Sequence, residues 1–217
     1  MLLIGMYDSP YVRRVAISMK LCGIAFEHAD WSVGADFERI RQHNPLVRVP
    51  TLVLDDGEVL LDSAALLDYL DELVGPQRAL LPRVGRERRM ALRLMAIAMG
   101  AADKAREQVY ERAFRPPERR HEPWLARCRT QMHGALSQIE RHASARGSGR
   151  WLVGERLTQA DITVVCAFTF LTEALGVSAQ AAPYPGLRAL GERCEARPEF
   201  ESSYGAASPP KSEAALA

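Results

Sequence analysis

Apolar residues open the chain as a short run, Leu2 to Met6, the pattern of a buried strand, and Asp8-Ser9-Pro10 ends it with turn and helix-start chemistry. Val12, Val15, Ala16, Met19 and Leu21 then recur at helical spacing until Cys22-Gly23 stops them. Ala25 to Asp30 follows as a second strand, which makes the opening a βαβ unit with a parallel pair and a right-handed crossover. A short helix near Asp36 to Gln42 precedes two more apolar runs, Thr51 to Leu54 and Glu58 to Leu61, which flank Asp55-Asp56-Gly57 as a hairpin. Asp62-Ser63 caps a helix bearing Leu66, Leu67, Tyr69, Leu70 and Leu73, and Gly75-Pro76 ends it. The predicted order is βαβαββα.

Beyond about Arg83 strand-like runs disappear. Helical patterns run from Arg86 to about Arg112, Pro123 to about Ala145, Thr158 to about Ala174 and Leu187 to about Ala196. The breaks between them are Arg115-Pro116-Pro117, Gly147-Ser148-Gly149 and Ala182 to Gly186, and Ser208-Pro209-Pro210-Lys211 begins a tail expected to fray. The switch from mixed α/β to pure α predicts two domains, residues 1–80 and 84–217, joined by a linker at 81–83.

Composition narrows the function. An apolar share of 47% and a charged share of 25% are globular values, so the chain needs no staple to fold. Lys plus Arg total 28 against 27 Asp plus Glu, which leaves no field to hold a phosphate backbone or an anionic membrane; neither nucleic acid nor membrane is an expected partner. Cys22, Cys128, Cys166 and Cys194 are widely spaced, without Cys-x-x-Cys or a histidine at ligand spacing, so neither a disulfide framework nor a metal site is predicted. The first six residues lack the basic start of a secretory signal, and a cytoplasmic location is expected.

Four segments together resemble the glutathione transferase family, especially its serine-using members, the tau-like and related bacterial groups. Tyr7-Asp8-Ser9-Pro10-Tyr11-Val12-Arg13-Arg14-Val15 is similar to the family's Ser-Pro-Phe/Tyr-x-x-Arg-Val start, and Asn44 to Leu52 is similar to its Asn-Pro-x-x-x-Val-Pro-x-Leu segment. Asp62-Ser63 falls where the family has an acidic residue and Ser, and Trp151 to Asp161 resembles the opening of its central buried helix. The resemblance spans nearly the whole chain. It implies a thioredoxin-like first domain, an all-helical second domain, glutathione as co-substrate without a metal, and a homodimer.

Free glutathione's thiol titrates near 8.5, so only ~3% is thiolate at pH 7, and the thiolate is the nucleophile. Lowering that pKa by about two units needs roughly 2.7 kcal/mol. A hydroxyl donating to the anion supplies about 1.5–3 kcal/mol and a helix N-terminus about 0.3–1. Ser9 lies at such a helix start, and the resemblance implies that its hydroxyl is the thiolate stabiliser; as an ordinary N-cap before Pro10 it needs no function at all. Tyr7 is a rival hydroxyl that the pattern places on the first strand facing the core, and Arg13 either adds positive potential near the sulfur or is a solvated arginine.

By base rate the Val49-Pro50 bond is trans; the resemblance implies cis, with Val49 presenting its backbone to the cysteinyl unit of the tripeptide. The resemblance also sets Ser63 and the helix start against the γ-glutamyl carboxylate, Asp62 against its ammonium, and Arg48 against the glycyl carboxylate, while simple capping accounts for Asp62-Ser63 equally well. Many relatives carry Glu at the Asp62 position, and the shorter side chain weakens that contact. Thr158 to Asp161 has capping-box spacing, so Asp161 is read as structural. The acceptor substrate, a hydrophobic electrophile, is expected between the halves against Tyr11 and the row Met99, Asp103, Arg106 and Tyr110, which core packing or subunit contact explains as well.

Three functions fit. The first is transfer of glutathione to an electrophilic carbon; the second keeps the site and uses glutathione for isomerisation or peroxide reduction; the third is a non-catalytic binding or scaffold protein. Ser rather than Cys at position 9 argues against exchange through a protein mixed disulfide.

Overall fold

The structure is a computed structural model that describes residues 1–147, 149–177 and 184–207. Two compact units are formed by these residues: Met1–Leu80 together with Pro198–Ala206, and Leu81–Arg197 together with Ala207.

In the first unit, strand β1 (Leu2–Ile4) pairs in parallel with β2 (Glu27–Ala29) and antiparallel with β3 (Thr51–Val53), which forms a hairpin with β4 (Val59–Leu61). The strand order is β2-β1-β3-β4. Side chains alternate across the sheet. Ile4 and Ala29 share one apolar cluster with Ile40 of α2 (Phe37–Arg41), and Leu2, Val47, Val49 and Val53 pack against it. Leu3 and Leu52, paired across the sheet and fully buried, point to the opposite face, while α1 (Pro10–Leu21) and α3 (Ser63–Val74) pack on each other. This is the thioredoxin-like arrangement the resemblance implies. The strands are shorter than the apolar runs: β1 ends at Ile4 because Gly5 turns the chain at φ 129, a conformation open to glycine. Tyr7 is therefore in the turn after the strand and not on it, which corrects the expectation for that residue.

The second unit is helical. The 30-residue α4 (Gly85–Phe114) packs against α5 (Glu122–Arg146) and α6 (Gln159–Leu175), and α7 (Pro185–Glu195) packs on α5 and α6. A single 3₁₀ turn, Pro117–Arg119, lies in the Pro-rich break between α4 and α5. Helix α6 is buried from Gln159 to Ala167, as its nearly unbroken apolar sequence requires. Its start is the predicted capping box: the Asp161 carboxylate accepts from the Thr158 N–H and hydroxyl, each at 2.9 Å, and from the Leu152 N–H at 2.8 Å. Burial pushes the Asp161 carboxyl up, and those hydrogen bonds pull against it. No described helix is long and apolar enough to cross a membrane. The fraying expected from Ser208 onward falls outside the described residues.

A short helix that the periodicity did not predict, α8 (Pro198–Glu201), follows α7 and belongs to the first unit, where it packs on α1. Phe200, fully buried, anchors it.

Candidate active site

Strand pairing collects the candidate residues at one end of the sheet. Ile4 is opposite Thr51 and Thr51 is opposite Leu61, so the chain leaving β1, the chain entering β3 and the chain leaving β4 emerge side by side. Those segments carry Ser9, Arg48 to Pro50, and Asp62-Ser63. Gly5 draws the first two together: a Cβ placed on it would lie 2.6 Å from Val12 Cγ2 and 2.7 Å from Val49 Cβ. Only a residue without a side chain permits that approach.

Ser9 is the N-cap of α1, with Pro10 at the first helical position, and its backbone oxygen accepts from the Arg13 N–H at 2.9 Å. Its hydroxyl makes no capping hydrogen bond. The side chain that would ordinarily close the helix end is thus left for another partner, next to the partial positive charge of the helix N-terminus. Tyr7, half-buried, stacks on His28 with ring centroids 3.9 Å apart and an interplanar angle of 1°. Burial and, secondarily, Asp30 push its phenol up, so it is held neutral. Arg13 is neither solvated nor spare: it is buried, and its guanidinium donates to the carbonyls of Ser203 at 2.9 Å and Phe200 at 3.2 Å.

The Val49–Pro50 peptide bond is cis, as the resemblance implies. Among the described residues, neither the N–H nor the C=O of half-buried Val49 takes part in a backbone hydrogen bond. The loop before it is held by Asn44, 1% exposed, whose side-chain amide donates to the Arg48 carbonyl at 2.8 Å and to Thr51 Oγ1 at 3.1 Å and accepts from the Leu46 N–H at 2.9 Å. Val47 pays for this geometry with φ 49, an uncommon value for a β-branched residue. The Arg48 side chain is exposed. Across the same end of the sheet, Asp62 caps α3 by accepting from the Ala64 N–H at 2.8 Å and sits at φ 71, ψ 124. Ser63 is buried, and its oxygen accepts from Arg14 Nη2 at 2.7 Å and Nε at 3.2 Å. Capping accounts for Asp62 but not for Ser63, whose hydroxyl proton still has to find an acceptor.

Residues 3–78 match the family model described as glutathione S-transferase, N-terminal domain, and residues 102–198 match glutathione S-transferase, C-terminal domain. The chain is 33% identical to the uncharacterized GST-like protein YibF of Escherichia coli (strain K12), over 79% of this chain and 82% of that one. It belongs to the glutathione S-transferase family. A maleylacetoacetate isomerase from Pseudomonas aeruginosa is 29% identical over 94% of this chain and 95% of its own. The crystal structure of a glutathione S-transferase from Methylobacterium radiotolerans, in complex with glutathione sulfonate, superposes with a TM-score of 0.88 at 32% identity, covering 95% of each chain.

This glutathione S-transferase family member departs from the sequence reading at two arginines. Arg14, 3% exposed, is the arginine of the Ser-Pro-Phe/Tyr-x-x-Arg-Val start, but its neighbours in the sequence do not show its partner, Ser63, which is 49 residues away. Asn44 likewise falls inside the Asn-Pro-x-x-x-Val-Pro-x-Leu segment, whose sequence does not show that its side chain holds the loop. Tyr11 lies on α1 in the first unit and is half-buried. Met99, Asp103, Arg106 and Tyr110 share one flank of α4 in the second unit, Arg106 meeting Asp103 at 3.4 Å and Tyr110 meeting the ring of Phe114 edge-on at 5.2 Å. None of these four is fully buried. No group of three or more potential metal ligands occurs among the described residues. All four cysteines are buried with free thiols, and burial pushes Cys22 and Cys128 up and Cys194 up to about 12.

Proposed function

We propose that this protein is a serine-using glutathione transferase, in which Ser9 donates its hydroxyl hydrogen to the sulfur of bound glutathione and holds it as thiolate for attack on a hydrophobic electrophile. The single observation behind this reading is the N-cap serine whose hydroxyl does not cap. Hydroxyl and helix end supply together about 1.8–4 kcal/mol, which covers the roughly 2.7 kcal/mol needed to ionise most of the thiol at pH 7. Attack by sulfur forms a thioether as the electrophile's leaving group departs with the bonding pair, and positioning supplies the rest of the acceleration.

The tripeptide is held by the other segments at the same end of the sheet. The open backbone of Val49 pairs with the cysteinyl unit as an added strand would. The Ser63 hydroxyl, backed by the Arg14 guanidinium, donates to the γ-glutamyl carboxylate, and the second carboxylate oxygen of Asp62 faces the ammonium. Arg48 meets the glycyl carboxylate. The Methylobacterium relative, solved with glutathione sulfonate, supports glutathione as the ligand.

A second reading is favoured by the near full-length similarity to a maleylacetoacetate isomerase: the same thiolate adds to a cis double bond, lets it rotate and leaves unchanged. Retention on immobilised glutathione tests the shared part. Conjugation of a chloronitrobenzene against cis–trans isomerisation of maleylacetoacetate then separates the two reactions, and a protein that neither binds glutathione nor performs either reaction is a scaffold.

A further inference from the structure

The turn Gly5 to Ser9 carries the hydroxyl yet belongs to no strand or helix. Its backbone is tied by the Gly5 N–H to the Ala29 carbonyl at 2.9 Å, the Ser9 N–H to the Met6 carbonyl at 3.2 Å, the Arg13 N–H to the Ser9 carbonyl at 2.9 Å, and a bond between His28 Nε2 and the Gly5 carbonyl at 2.7 Å. His28 stacks on the Tyr7 ring and Val12 and Val49 close on Gly5, while the Tyr7–Asp8 backbone is met by a segment from nearly two hundred residues away. A Cβ on Gly205 would sit 2.9 Å from the Asp8 backbone nitrogen and 3.1 Å from both the carbonyl carbon and the Cβ of Tyr7. Backbone cannot step aside as the end of a flexible side chain does, so the fit depends on glycine at 205.

The segment bearing Gly205 is fastened to the helix that Ser9 begins. Arg13 donates to the carbonyls of Phe200 and Ser203, its guanidinium lies 5.6 Å from the centre of the Tyr204 ring, and Lys20 Nζ donates to the Ser202 carbonyl at 2.7 Å and hydroxyl at 3.0 Å. Phe200 and Ser203 are fully buried beneath these contacts. Arg13 and Lys20 lie seven residues apart, two helical turns, on one flank of α1. Two cations therefore close the carbonyl-rich end of α8, where the helix dipole favours positive charge.

We propose that Phe200–Gly205 is a positioning strap for Ser9: clamped to α1 by Arg13 and Lys20, it packs Gly205 against the Tyr7–Asp8 backbone and fixes the turn so that the Ser9 hydroxyl meets the sulfur. The strap rests on the Ser9 reading above. Arg13 and Gly205 touch no substrate and act through the serine, which must be held to about half an ångström for a strong hydrogen bond. The other titratable or charged groups around the turn are Tyr7, Asp8, Lys20, His28 and Asp30, and the variants below leave them all in place.

The test uses the full chain as wild type, Ser9→Ala, Gly205→Ala and the double variant, each bound to glutathione. The readout is the pH midpoint of the thiolate's ultraviolet absorbance, with affinity for S-methylglutathione, which has no ionisable sulfur, reporting on the tripeptide groove. Gly205→Ala is expected to raise the midpoint by about 0.5–1 pH unit, roughly three- to tenfold less thiolate at a fixed lower pH. S-methylglutathione affinity should hold, and the shift should vanish in the Ser9→Ala background, since coupled residues are not additive. Arg13→Lys, which keeps the charge but lacks the planar fork whose Nε and Nη2 meet the two carbonyls separately, should move the midpoint the same way and serves where Gly205→Ala folds poorly. The strap is refuted if neither variant moves the midpoint, or if the shift is the same with and without the Ser9 hydroxyl. If Ser9→Ala itself leaves the midpoint unchanged, the Ser9 reading falls, and the strap with it.

Discussion

Replacing Ser9 with Ala separates chemistry from folding, because the structure assigns the hydroxyl no structural task. An N-cap serine whose side chain bonds the helix loses about 1 kcal/mol of stability on truncation. Here the capping bond is missing, so Ser9→Ala should change the urea or thermal midpoint by no more than about 0.5 kcal/mol. The bound thiol should respond strongly. Removing a charge-assisted bond of about 1.5–3 kcal/mol raises its pKa by roughly one to two units. With the wild-type thiol near 6.5, about three-quarters is ionised at pH 7; a pKa near 8 leaves about a tenth, so conjugation at pH 7 falls about eightfold. The sign follows from linkage. The wild-type complex favours the deprotonated thiol, so the deficit is greatest below the wild-type midpoint and closes as the pH rises past that of the variant. Glutathione binding at pH 7–8 should also release less acid from the variant than from wild type. A rate-against-pH profile with a chloronitrobenzene, alongside thiolate absorbance and a urea titration, measures all three. A variant about 1 kcal/mol less stable with an unmoved pH midpoint would refute the reasoning and return Ser9 to the role of a helix cap.

Gly5→Ala puts a methyl into Val12 and Val49 at a φ that resists side chains, and should cost about 3 kcal/mol in a denaturant titration, together with loss of retention on immobilised glutathione. Ser63→Ala removes the acceptor of two Arg14 N–H groups and should lower glutathione affinity about tenfold or more with little change in the thiol's pH midpoint, by calorimetry and absorbance. Asp161→Ala strands the buried N–H groups of Leu152 and Thr158 and should destabilise by about 3 kcal/mol, while the soluble folded fraction keeps wild-type kcat/KM. The four buried thiols, Cys194 pushed up to about 12 among them, should react with a disulfide reagent at pH 8 only as fast as the protein unfolds; a rapid equivalent from the native protein counts against this burial.

Local pattern declared most of the elements, α8 excepted. Runs such as Leu2 to Met6 and Thr51 to Leu54, the Asp55-Asp56-Gly57 turn, the helical spacing after Pro10 and Ser63 and the capping box at Thr158 and Asp161 need only neighbours a few residues away to declare themselves, though the strands within those runs stop short at Ile4 and Val53. The motifs at Ser9, Val49-Pro50 and Asp62-Ser63 stand out by their resemblance to the family, and it is that resemblance, not the local pattern, that implies the cis bond. What those residues do with their side chains was decided at long range. Ser9 has the sequence of a cap and does not cap; Arg13, open in sequence to a solvated reading, is buried on carbonyls 187 and 190 residues along the chain, and Arg14, a motif residue without a visible partner, is buried on Ser63. Nothing in the neighbourhood of an arginine tells which distant acceptor will meet it. Gly205 reads as an ordinary loop glycine until the fold sets it against Tyr7 and Asp8. Hydrophobic period reports how a segment buries itself; only the closed tertiary structure pairs each buried charge and each close backbone approach with its partner.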